Sequence, residues 1–119
     1  AASTVAKLPR LEYDFGLATC EPGARTSAFQ WDYPNGWAPL HFIAVHGLLR
    51  YGYRAEAERI ARKYIHAIDR TFAETGTLWE KYNVTDGTLN VTDEYKMPPM
   101  LGWTAGVYVD FTTLLAPNG

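Results

Sequence analysis

Two short segments of this sequence place carboxylates between aromatic residues, a combination that can carry out chemistry on a sugar. Residues 30–39 read QWDYPNGWAP and residues 79–83 read WEKYN. A third group, residues 93–95 followed by residues 102–104, has a similar composition. Carboxylates exchange protons with substrates or water, and flat rings suit the apolar faces of a sugar. The alternative on composition is a core in which the tryptophan N–H and tyrosine O–H groups are hydrogen-bonded.

The composition is that of an ordinary globular domain. The 119 residues are 47% hydrophobic and 20% charged, with a net charge of −2, and they are enough for one modest domain. Nucleic acids and anionic membranes require a dense Lys/Arg patch, whereas the 11 basic residues here are dispersed. No apolar run approaches the ~20 residues that span a bilayer. We therefore expect neither nucleic acid nor a membrane as a partner.

Three helices are predicted after an irregular lead-in, residues 1–37, which holds at most a short strand. Apolar residues recur at helical spacing over residues 39–51, 57–76 and about 100–115. Residues 77–99 show no periodicity, and so long a loop in a compact domain is usually functional. Residues 38–115 thus hold the helices and the candidate site loops. The predicted fold class is all-α, and these few helices indicate part of a larger helical body.

The same spacing predicts which side of each helix is buried. For the first helix the predicted apolar face is Leu40, Ile43, Ala44, Gly47, Leu48 and Tyr51. For the second it is Ala57, Ile60, Ala61, Tyr64, Ile65, Ile68 and Phe72. For the third it is Trp103, Val107, Phe111, Leu114 and Leu115. The histidines, His41, His46 and His66, share no metal-ligand spacing, so they are expected at polar helix positions and no metal is expected.

Residues 30–39 resemble the signature Gln-Trp-Asp-x-Pro-x-Gly-Trp-x-Pro of the trehalase family, glycoside hydrolase family 37. Two further blocks agree with that family in order and spacing. They are EKY at residues 80–82, and EY at residues 94–95 followed by GWTAGV at residues 102–107. The resemblance covers residues 11–115. It implies an (α/α)6 barrel, of which residues 1–119 form the carboxy-terminal part of the catalytic domain.

The resemblance also implies a reaction, the inverting hydrolysis of α,α-trehalose, or a related α-glucoside, to glucose. Inversion needs a general acid and a general base roughly 6.5–9.5 Å apart, with room for a water between them. By position Glu80 is the general base, and Glu94 binds sugar hydroxyls. The residues that would line or brace the sugar pocket are Trp31, Asp32, Trp37 and Trp103.

The family's general acid is an aspartate upstream of the QWD motif, outside this chain. We therefore expect this chain alone to be inactive, with the preceding part of the barrel and the sugar as its partners. No metal or organic cofactor is implied, because an acid and a base suffice. The compartment stays open between periplasm and cytoplasm.

One segment departs from the family's pattern. Trehalases carry a glycine-rich lid before the second glutamate, whereas residues 86–93 here read DGTLNVTD, with one glycine. Side chains in place of glycines restrict the backbone, so the sequence predicts a stiffer and bulkier lid. This departure leaves a related α-glucoside open as the substrate beside trehalose.

The residues leave two other functions open. One is a non-catalytic carbohydrate-binding remnant that keeps Trp31, Trp37 and Glu94. The other is an interaction module whose aromatic surface is exposed because barrel helices are absent. Asp32 has a structural alternative of its own, which is to bond backbone N–H groups in the turn at residues 34–36.

Overall fold

The computed structural model describes residues 1–23 and 29–117, and helices dominate it, as the all-α prediction requires. The elements in chain order are α1 (Ala2–Val5), a 3-10 turn (Leu8–Arg10), β1 (Glu12–Tyr13), β2 (Gly16–Leu17), β3 (Asn35–Trp37), α2 (Ala38–Arg50), α3 (Arg54–Thr75), β4 (Lys81–Asn83) and α4 (Gly102–Leu115). Strands β1 and β2 form one antiparallel pair, and β3 and β4 form another. The predicted lead-in includes residues 24–28, which lie outside the described part.

The three long helices lie where the apolar spacing predicts them, and the shorter elements are additional. Helix α1 has four residues, which is about one turn and too short to leave a periodic pattern. Strand β4 lies within residues 77–99, where the sequence shows no periodicity, and it has three residues. Its pairing with β3 is therefore a feature that only the structure reveals.

Helix α3 is the centre of the packing, because it contacts both α2 and α4. Five residues of its predicted stripe are buried: Ala57, Ile60, Ala61, Tyr64 and Ile68. The helix ends at Gly76, whose φ of 74° is left-handed and costs glycine little. No helix in the described part of the chain is long and apolar enough to cross a membrane.

Helix α2 differs from the sequence prediction in the side that it buries. Its predicted apolar face is only partly covered, because Ile43 and Tyr51 are 65% and 71% exposed while the other residues of that face are partly buried. The fully buried residues His41 and Val45 lie outside that face. A helix with apolar side chains on both sides has no single stripe for the spacing to identify. Phe72 and Trp103, also predicted to face the core, are 52% and 39% exposed.

The β3–β4 pair joins the two sequence motifs directly. Asn35 lies opposite Asn83, Gly36 opposite Tyr82, and Trp37 opposite Lys81. All six residues are buried. A Cβ atom on Gly36 would collide with the Val84 side chain, so the glycine of the first motif permits the close approach of the second.

Candidate active site

Glu80 lies directly before β4, at the start of this strand pair, and its side chain is 9% exposed. Its backbone N–H donates to the Pro98 carbonyl across 3.3 Å. The Tyr95 hydroxyl lies 2.8 and 2.7 Å from its two oxygens. The Lys81 ammonium donates to Oε2 across 3.0 Å. Charged-group hydrogen bonds of this kind fix the orientation of a carboxylate.

Lys81 is a buried cation that joins two carboxylates. Its side chain is 0% exposed, and its Nζ lies 3.0 Å from Glu80 Oε2 and 2.5 Å from Asp93 Oδ1. The same nitrogen lies 5.1 Å from the ring centre of Trp37 and 4.9 Å from that of Tyr95. Ring faces attract a cation electrostatically. Lys81 therefore ties the candidate base to the segment that carries Glu94.

Tyr95 is a hydrogen-bond donor to this cluster throughout the neutral range. Desolvation, together with the hydrogen bond to Glu80, raises the pKa of Tyr95 to about 12. The nearby negative charges of Glu80, Asp93 and Glu94 act in the same direction. The phenol therefore stays protonated at neutral pH, and its O–H group donates a hydrogen bond to the Glu80 carboxylate.

The three tryptophans predicted to bind sugar come together around Trp37. Trp31 stacks on Trp37 with ring centres 3.8 Å apart and planes 8° apart, and Trp103 meets it edge-on at 6.2 Å. Trp37 is 1% exposed, whereas Trp31 and Trp103 are 42% and 39% exposed. Trp37 Nε1 donates to the Gln30 carbonyl across 3.0 Å. The exposed rings are accessible to a ligand, and the buried ring supports them.

Asp32 and Glu94 occupy different kinds of position. Asp32 Oδ2 accepts a hydrogen bond from the Phe29 N–H at 3.0 Å, so the carboxylate stabilises the turn at residues 29–32 rather than the turn at residues 34–36. Glu94 is exposed, and within the described residues no hydrogen bond or ion pair of its side chain is found. Its carboxylate can therefore accept hydrogen bonds from a ligand.

His41 is buried at the back of the strand pair, although the sequence suggests a polar helix position. Its Nδ1 donates to the Trp37 carbonyl at 2.8 Å, and its Nε2 accepts the Leu17 N–H at 2.9 Å. Burial lowers the pKa of His41 to about 4, so the ring is neutral at pH 7. Both ring nitrogens are therefore occupied by hydrogen bonds to the backbone around the site.

Within residues 1–23 and 29–117 no group of three or more potential metal ligands is found.

Lys81, Tyr95 and His41 contribute to the site through these contacts, although the sequence assigns none of them a role. Lys81 and Tyr95 are the neighbours of Glu80 and Glu94 in the sequence blocks, a proximity that could have marked them. His41 gives no such signal, because its partners lie on other elements.

Comparison with known proteins agrees with the motifs. The sequence model of the trehalase family matches residues 2–116. A periplasmic trehalase of Xanthomonas axonopodis pv. citri is 43% identical over 107 residues, which are 89% of this chain and 18% of that protein. A periplasmic trehalase of Pseudomonas aeruginosa is 39% identical over 104 residues, which are 87% of this chain and 18% of that protein.

A solved structure shows the same fold. The neutral trehalase of Saccharomyces cerevisiae matches with a TM-score of 0.79 and 32% identity, over 98% of this chain and 21% of the yeast chain. The yeast enzyme is an (α/α)6 barrel, so the fold predicted from the motifs is confirmed as part of such a barrel. The chain spans about a fifth of the length of the relatives it matches.

Proposed function

Because this chain belongs to the trehalase family, we propose that it forms part of an inverting hydrolase of α,α-trehalose, in which Glu80 is the general base. The observation that supports this role most directly is the setting of Glu80. Its carboxylate is nearly buried, its orientation is fixed by Lys81 and Tyr95, and it belongs to a cluster that includes Trp37. General bases are held in this way, on rigid elements and by neighbouring hydrogen bonds.

The chemistry assigned to Glu80 is proton abstraction from water. As the water oxygen attacks the anomeric carbon, the carboxylate takes the water proton. The leaving glucose receives a proton from an acid on the other side of the glycosidic bond. That acid is an aspartate outside residues 1–119, so the chain supplies one half of the catalytic pair.

The remaining site residues have roles in sugar binding. The rings of Trp31 and Trp103 are the accessible faces of the tryptophan cluster, and Trp37 braces them from behind. Glu94 accepts hydrogen bonds from sugar hydroxyls through its exposed carboxylate. Asp32 stabilises the turn at residues 29–32, and so holds Trp31 in place.

The uncovered side of α2 is the surface on which we place the rest of the barrel. A groove of about 340 Å³ lies along α1 and α2, lined by apolar residues that include Val5, Leu8, Ile43, Leu48 and Tyr51. Exposed apolar surface of this kind marks an interaction site.

The names of the bacterial relatives favour the periplasm over the cytoplasm as the compartment of this protein.

We expect the isolated 119-residue chain to release no glucose from trehalose above background. The reason is that the general acid lies outside it, and one carboxylate cannot replace a pair on opposite sides of the bond. A coupled glucose assay on the purified chain measures this, with an intact trehalase as the positive control. Turnover by the chain alone would show that it contains a complete acid–base pair.

We also expect the enzyme to hydrolyse trehalose with a poor kcat/KM, or to prefer another α-glucoside. Leu89, Asn90, Val91 and Thr92 stand where trehalases have glycines, and their side chains limit how the lid closes over the second glucose. Comparing kcat/KM on trehalose and a small panel of α-glucosides measures this. Strong activity confined to trehalose would mean that the missing glycines have no effect on specificity.

A further inference from the structure

The segment at residues 90–95, which carries Glu94, is fastened to the β3–β4 pair by buried side chains. We propose that Asn35 is a positioning residue that sets the place of Glu94 by holding the backbone of Thr92. The inference rests on the proposed function in one respect, namely that Glu94 binds the sugar.

Asn35 holds both backbone groups of Thr92 at once. Its Nδ2 donates to the Thr92 carbonyl across 2.7 Å, and its Oδ1 accepts the Thr92 N–H at 3.2 Å. The same Nδ2 donates to the Gln30 carbonyl across 2.9 Å. The residue is 0% exposed. Both donors and the acceptor of the amide are therefore used, which fixes the orientation of the side chain. The amide bonds the N–H and the carbonyl of Thr92 as the backbone of a neighbouring strand would.

Two neighbours of Asn35 in the strand pair hold the same segment at other points. Asn83, the register partner of Asn35, donates from Nδ2 to the Asn90 carbonyl across 2.9 Å. Lys81 reaches Asp93 Oδ1 at 2.5 Å. Contacts thus recur at positions 90, 92 and 93, and they leave Glu94 next to a fixed backbone while its side chain is exposed.

This arrangement gives the lid a preset position. A glycine-rich segment loses much conformational entropy when a ligand orders it, whereas a segment already held by Asn35 loses less. Removing Asn35 should therefore weaken substrate binding rather than the chemical step. A rise in KM separates a positioning role from general destabilisation, because general destabilisation lowers the amount of active enzyme and leaves KM unchanged.

The first test is amide hydrogen exchange of the full enzyme without substrate. We expect the Thr92 amide to exchange roughly 10- to 100-fold more slowly than an exposed amide without a partner, because its N–H is bonded to a buried side chain. In Asn35→Ala this protection should be lost, while that of α3 is retained. A Thr92 amide that exchanges freely in the unaltered enzyme would overturn the proposal, whatever the activity.

The second test is kinetic. For Asn35→Ala we expect KM for the substrate to rise about tenfold and kcat to fall less than about threefold. If the alanine variant does not fold, the exchange of the Thr92 amide in the unaltered enzyme still tests the contact. Thr113→Ala on α4 is the matched control, because it also removes a hydrogen bond from a side chain to a backbone carbonyl, that of Val109 at 2.8 Å, but at an exposed position outside the site. It should behave as the unaltered enzyme.

The outcomes separate this inference from the proposed function. Unchanged KM in folded Asn35→Ala, or an equal effect in Thr113→Ala, would overturn the positioning role. Activity that does not depend on Glu80 would instead remove the proposed base, and the exchange of Thr92 would still decide the role of Asn35.

Discussion

Replacing Glu80 with glutamine is expected to lower kcat about 100- to 10,000-fold, while KM changes far less. Glutamine has nearly the same shape and still offers an oxygen to Lys81 or Tyr95, but it cannot take a proton from water. The loss therefore falls on the chemical step rather than on binding. Steady-state kinetics of the full enzyme on its best α-glucoside measure both parameters.

The matched control is Glu74→Gln on α3. Glu74 pairs with Arg70 at 3.3 Å, and its side chain is 56% exposed, so the same chemical change at this position should leave the kinetics as they were. Circular dichroism of both variants checks that each is folded. A loss smaller than tenfold in Glu80→Gln would assign the base to another residue.

The helices were predictable from sequence to the extent that they are amphipathic. Helix α3 has a clear apolar stripe and a glycine at its end; five of the seven predicted stripe residues are buried, and Gly76 lies where expected. Helix α2 was located correctly, but the face given by its spacing is only partly buried, and its fully buried residues lie outside that face. It carries apolar residues on both sides, and spacing alone does not reveal which side this part of the barrel covers.

The candidate site residues came from the motif, and the contacts among them came from the structure. The sequence identified Glu80, Trp31 and Trp37, but not the strand pairing that brings their segments together. A three-residue strand gives no period-2 signal, so neither β4 nor its register could be read from the sequence. The clamp of Asn35 on Thr92 joins positions 57 residues apart, and nothing local to either residue indicates it.

Lys81→Met is expected to destabilise the fold by about 3 kcal/mol, the lower end for breaking a buried ion pair. Methionine fills similar space, but it leaves Glu80 and Asp93 without their shared cation. Glu80 then keeps a charge at a site where its side chain is 9% exposed, while Asp93, 29% exposed, retains more water. Because water partly solvates the unpaired Asp93 carboxylate, we expect a loss at the lower end of the range for buried ion pairs. Urea denaturation measures the change as a shift in midpoint at constant m-value.

Two further variants show whether the buried position of Lys81 is the cause. Arg54→Met removes a cation that pairs with Glu58 at 3.0 Å but is 66% exposed, so it should cost less than about 1 kcal/mol. Adding Asp93→Asn to Lys81→Met removes one of the two unpaired charges and should recover part of the lost stability. Equal losses of stability in Lys81→Met and Arg54→Met would show that the buried position of the Lys81 ammonium adds nothing to the stability of the fold.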